Sequence, residues 1–178
     1  MYAIGFKLLR IIFLGFLPLL LISRTVKDVK KLPFVLSGTY LLEVEGNSDY
    51  QLTGEISFSY MDKISTTGAV FSVLKLHFNG SNAALPHTME VVVCKENTTD
   101  NLPLGNYKVN IVESFLNPSS GVFGAFSSDT LGEKLFFTKK GSVRISHFCN
   151  SNVKGTMKMV LLNQKGEAIN IKGDFNAR

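Results

Sequence analysis

From Gly38 onward, apolar side chains recur at every second position, and breaks rich in Gly and Asn interrupt them about every ten residues. A period of two puts positions i, i+2 and i+4 on one side of an extended chain and scatters them around a helix. Tyr40, Leu42 and Val44 alternate with Thr39, Glu43 and Glu45, and Leu52, Ile56, Phe58 and Tyr60 alternate with Thr53, Glu55, Ser57 and Ser59. Val70, Leu74, Leu76 and Phe78 share a face, as do Tyr107, Val109 and Ile111. Residues 88–95 are nearly continuously apolar, the pattern of a strand buried on both faces. Further strands are predicted over 131–138, 142–148, 155–162 and 167–175, with a short one over 122–126.

The breaks carry turn chemistry. Asn79-Gly80-Ser81-Asn82, Lys139-Lys140-Gly141, Asn150-Ser151-Asn152 and Asn163-Gln164-Lys165-Gly166 each separate two such runs. No long stretch after residue 38 has an amphipathic helical pattern with caps, so βαβ folds and their nucleotide sites are not expected. The predicted class is all-β: an antiparallel β-sandwich or barrel of about nine to ten strands, preceded by an N-terminal hydrophobic helix. Periodicity does not choose between sandwich and barrel.

That hydrophobic segment explains the basic character of the chain. The formal net charge is +5, yet Lys7 and Arg10 supply two of those charges, and Arg24, Lys27, Lys30 and Lys31, less Asp28, supply the other three. Residues 32–178 hold 13 basic and 13 acidic side chains, so the β region is neutral and offers no nucleic-acid footprint. Residues 11–23 are uncharged and follow two basic residues, the layout of a secretory signal. As a helix they would span about 20 Å, less than the roughly 30 Å of a hydrocarbon core. Leu21 stands where a cleavage site prefers a small side chain, so an uncleaved membrane anchor competes with a signal peptide. The expected organisation is a signal or anchor at 1–23, a basic linker at 24–37 and one all-β domain at 38–178. Its expected location is the cell envelope, secreted after cleavage or held to the membrane by the N-terminal segment.

The C-terminal strands carry a resemblance. Gly141-Ser-Val-Arg-Ile-Ser, Val153-Lys-Gly-Thr-Met-Lys-Met and Gly166-Glu-Ala-Ile-Asn-Ile-Lys-Gly-Asp-Phe175 resemble the closing strands of small secreted or envelope β proteins and lipoproteins of Bacteroidota. The Leu102-Pro-Leu-Gly-Asn-Tyr107 turn is similar to the one that opens a middle strand in those proteins. The resemblance implies an extracytoplasmic β domain with no assigned activity. Those proteins commonly carry a lipobox Cys, which this leader lacks.

Few residues suggest chemistry. Cys94 and Cys149 would pair in an oxidising compartment, for roughly 4 kcal/mol on a chain-entropy model, or would remain two separate thiols. His147 and Cys149 make at most a partial ligand set or a Cys–His pair, and a half-buried strand position is the expectation for His147. His87 follows Pro86 and is expected in a solvated loop. Glu43 and Glu45 share a strand face and are read as its wet side. No nucleophile elbow, zincin or Walker sequence is present, so no enzyme activity, cofactor or metal is expected. Phenylalanines crowd residues 115–137, and Phe136 and Phe137, being adjacent, face opposite sides of any strand. Phe123, Phe126, Phe136 and Phe137 are therefore the candidate ligand pocket. The function expected is binding or envelope structure with an unknown protein or small-molecule partner; the alternative is a lipocalin-like carrier of an apolar ligand.

Overall fold

The computed structural model describes residues 35–46, 49–65, 67–80, 85–96, 104–110, 120–132 and 134–178. The leader at 1–23, the linker as far as residue 34, Phe115, Ile111 and the loop stretches 97–103 and 117–119 lie outside the described residues. Nine strands follow in chain order: β1 Val35–Glu45, β2 Tyr50–Ile64, β3 Val70–Gly80, β4 His87–Glu96, β5 Gly105–Lys108, β6 Gly121–Ser128, β7 Leu135–Cys149, β8 Asn152–Leu162 and β9 Ala168–Ala177.

All ladders between these strands are antiparallel, and neighbours run β7-β6-β4-β3-β2-β1-β9-β8 before β8 returns to β7. The result is a closed eight-stranded barrel with β5 as a ninth strand. Closure decides the choice that periodicity left open. The position of β5 follows from the unequal lengths of its neighbours. Only Ser127 to Ala125 of β6 pair with Leu135 to Phe137 of β7, and β5 pairs with Ser142 to Ile145 farther along β7. Where β6 and β7 part, the Gly124 N–H donates to the Thr138 hydroxyl at 3.0 Å. Below that point, a bridge between Val109 and Val122 continues the seam, so β5 is a wedge between two diverging strands.

The expected turn at Lys139-Lys140-Gly141 does not form; the two strands predicted around it are one, β7. Gly141 instead bends that strand at a φ of 124°, and a Cβ there would lie 2.1 Å from the Lys158 carbonyl oxygen. Gly155 is similarly close, with a hypothetical Cβ 2.2 Å from the Arg144 carbonyl oxygen and 2.6 Å from the Phe175 ring. Glycine lets adjacent strands coil tightly enough to close the sheet. The Asn163-Gln164-Lys165-Gly166 turn forms as expected: the Gly166 N–H donates to the Asn163 carbonyl at 3.1 Å, and Lys134 and Asn163 clasp the Glu167 carboxylate.

The inward face is solid. Leu42, Leu52, Ile56, Phe58, Leu74, Leu76, Phe78, Phe126, Phe136, Ile145, Met159 and Leu161 are its largest fully buried side chains. Polar pairs sit among them: Tyr60 donates to the Ser72 hydroxyl at 2.9 Å, and Tyr40 meets His87. His87, expected in a solvated loop, is the first residue of β4 and is buried. Its Nδ1 lies 2.7 Å from the Leu85 carbonyl, which only accepts, so Nδ1 carries the proton. Nε2 then accepts from the Tyr40 hydroxyl at 2.6 Å, and burial pushes the Tyr40 pKa up. Two glycines paired across β2 and β3, Gly54 and Gly80, make room: a Cβ would meet the Tyr40 oxygen at 2.7 Å from the first and the His87 ring at 2.4 Å from the second.

Outside, the alternation reverses. Lys63, Glu55, Arg144, Lys154 and Lys158 are exposed, so the interior is apolar and the wall largely charged and polar, with apolar side chains such as Leu41, Leu135 and Phe137 scattered on it. A lipid-spanning barrel has the opposite arrangement. Among the described residues, no helix is long and apolar enough to cross a membrane.

The pleat yields a paired test. Phe136 is 2 % exposed and Phe137 48 %, so Phe136→Ala is expected to cost about 3–5 kcal/mol and Phe137→Ala about 0.5 kcal/mol or less in urea denaturation. Tyr40→Phe leaves the buried His87 Nε2 without its donor and is expected to cost about 1–3 kcal/mol by the same measurement.

Candidate binding surface on the barrel wall

The four candidate phenylalanines do not share a cavity, because the pleat and the closure of the sheet divide them two and two. Phe126 and Phe136 are register partners inside the barrel. Phe123 lies on the outer wall, against a small cluster of Phe71, Val73 and Cys94 that Met61, Ala69 and Val92 also cover. Phe137 is exposed, paired with Ala125 on one side and Leu162 on the other. No side chain has to bridge the inner and outer sets, so the expected pocket gives way to a filled core and two separate outer positions.

The cysteines are also apart. Cys94 is buried on the outer wall of β4, between Val73 of β3 and Gly121 of β6. Cys149 ends β7 at the tip of the β7–β8 hairpin, opposite Asn152, and is exposed. Both are free thiols, so the candidate disulfide is not formed. Their chemistry differs accordingly. Burial pushes the Cys94 thiol up to about 11. At Cys149, hydrogen bonds from the Ser151 backbone, His147 and the Ser151 hydroxyl favour the thiolate and bring it down to about 7.

A bulge between Ile145 and His147 explains the surroundings of Cys149. Simple alternation would have carried Val143, Ile145, His147 and Cys149 along one face. The extra residue sends Phe148 inward, where its ring meets Tyr60 at 4.9 Å between centroids, and turns His147 and Cys149 out to solvent. His147 is thus exposed where a half-buried position was expected. His77, on β3, also faces outward, with its Nδ1 3.4 Å from Glu90. Among the described residues, no three His, Cys, Asp or Glu side chains converge on a metal position.

Sequence patterning missed the concavity that the wall does carry. It measures about 330 Å³ and is lined by Asn106, Ser142, Arg144, Thr156, Met157 and Lys158. Register assembles it: Asn106 of β5 faces Arg144 of β7, which faces Thr156 of β8, while Ser142 faces Lys158 one row along. The stretch of β7 that contributes to it lies between two ladder irregularities, at Thr138/Lys140 and at Ile145/His147. Of the nearby carboxylates, Asp174 of β9 stands opposite Thr156, and the two on β1 are held by a lysine. Lys172 of β9 holds Glu45 at 2.6 Å and Glu43 at 3.2 Å, and its hydrogen bond is the main reason the Glu45 carboxyl lies below the usual range. The signal available in the sequence was the run of alternating basic residues Arg144, Lys154, Lys158 and Lys172 in the last three strands, but only the register shows which of them meet.

No known protein family, curated protein or solved structure matches this chain.

Thiol labelling checks the placement of the cysteines. Alkylation of the folded protein is expected at Cys149 alone, with a rate that rises as pH passes about 7, because the thiolate is the nucleophile. Cys94 is expected to react only after unfolding; mapping the modified peptides below and above neutrality reads both.

Proposed function

We propose that this chain is an exported, envelope-associated β-barrel that acts by binding at its outer wall rather than by catalysis or by carrying an apolar ligand inside. One observation carries the choice: the barrel interior is filled by its own side chains, and the concavity of about 330 Å³ lies outside it. A lipocalin-like carrier needs an enclosed apolar space of several hundred Å³. Here that space is occupied by Phe58, Phe78, Phe126 and Phe136, each no more than 2 % exposed. Export is supported by the basic-then-apolar leader and by the neutral charge of everything after residue 31. The likeness of residues 102–107 and 141–175 to envelope β proteins of Bacteroidota supports the same address.

A binding role on the wall also suits the mechanics. The concavity is built from three strands of one closed ladder, so the backbone positions that carry its polar groups are fixed relative to one another. Arg144, Lys158, Ser142, Thr156 and Asn106 supply hydrogen-bond donors, and Met157 completes the lining.

Two measurements test the proposal. A fluorescent fatty acid titrated into the full chain is expected to show no saturable uptake; stoichiometric uptake into the interior would restore the carrier. Mass spectrometry of the native protein is expected to find it in the envelope or secreted fraction, with residues 1–23 either removed or retained in the membrane. An intact chain in the cytosolic fraction would overturn export.

A further inference from the structure

We infer that the concavity on β5, β7 and β8 is an oxyanion site, taking the phosphate or sulfate ester of a sugar-sized polar molecule. This inference rests on the outer-wall binding function and names its ligand class. The site offers a guanidinium and an ammonium, on Arg144 and Lys158, from neighbouring strands and adjacent rows. Among the described residues, neither cation has a carboxylate within ion-pair distance, since the ion pairs of this wall belong to Lys172 with Glu43 and Glu45. Two further cations border it: Lys108 faces Ser142 across β5 and β7, and Lys172 faces Lys158 across β8 and β9. Asp174, opposite Thr156, is the carboxylate next to the opposite side.

Lys172 is compensated by Glu43 and Glu45, which leaves Arg144 and Lys158 side by side with no ion pair of their own among the described residues, and a bound anion would supply that charge. The donor set specifies its shape. The Arg144 fork binds two oxygens of one group in parallel, and the Lys158 ammonium and the Ser142 and Thr156 hydroxyls approach from the sides. A carboxylate engaged by the fork keeps acceptor sites only in its own plane, whereas a tetrahedral oxyanion also offers oxygens out of that plane to the side donors. The concavity of about 330 Å³ exceeds what a bare oxyanion fills. The remaining space is bordered by the Asn106 amide and the hydroxyls, which suit the polar body of an ester.

The test is a titration of the full chain, at constant ionic strength, with inorganic phosphate, inorganic sulfate, a hexose phosphate and acetate, followed by amide chemical shifts and by calorimetry. Saturable one-to-one binding of the oxyanions is expected, with shifts centred on residues 142–145 and 156–158. The hexose phosphate should bind about threefold or more tightly than inorganic phosphate, and acetate much more weakly. Arg144→Gln and Lys158→Gln should each weaken binding about tenfold without changing Tm, and Lys75→Gln, on the β3 wall, should leave it unchanged. Absence of saturation, equal binding of acetate, or wild-type affinity in both wall variants would overturn the oxyanion site. Those failures would leave an outer-wall binder of another ligand class, whereas fatty-acid uptake into the interior would overturn that function itself.

Discussion

Closing one sheet onto itself through the β7–β8 ladder governs everything else in this protein. Eight strands can meet end to end only if some of them bend sharply and lie almost in contact, and the backbone then leaves no room for a side chain. That is the situation at Gly38, Gly141, Gly155 and Gly173, where a Cβ would fall 2.0–2.2 Å from a carbonyl oxygen of the adjacent strand. Closure also removes the free edges that an open sheet of this size would have to protect. It fixes a single inside, to which every strand contributes alternate residues, and a single outside. The division of labour between a solid interior and a charged exterior follows from it.

The filled interior moves binding outward. A barrel of this strand number has a lumen just wide enough either to be packed by side chains or to hold one small ligand. Four phenylalanines and many branched aliphatic residues select packing here. The outer wall is left as the place where polar chemistry accumulates. The concavity lies along the stretch between two irregularities of one ladder, and the register lines it with donors from three strands.

The strands were legible because each depends on a local pattern. Tyr40-Leu42-Val44 and Leu52-Ile56-Phe58-Tyr60 keep their alternation in the fold and face inward as their spacing implies. Features that depend on pairing were not legible. The Lys139-Lys140-Gly141 stretch has the composition of a turn, yet its glycine answers to the crowding of the Lys158 carbonyl on another strand. His87 looked like a loop residue because its partner, Tyr40, lies 47 positions away, and the two glycines that admit the pair are on two further strands. The bulge that turns Cys149 outward leaves no mark in the alternation of Val143, Ile145, His147 and Cys149. The outer concavity was hidden for the same reason, since Asn106, Arg144 and Thr156 are neighbours only by register.

The bond between Lys172 and Glu45 joins positions 127 residues apart, and with it the first strand of the barrel meets the last. β1 is synthesised before any other strand, but one of its two edges stays bare until β9 exists. The barrel is therefore not assembled progressively from its N-terminus: a nascent chain that stops short of β9 presents two raw edges and an uncovered core face. Closure requires all eight barrel strands together. It thus rests on pairing between chain segments far apart in sequence, the kind of contact that forms slowly.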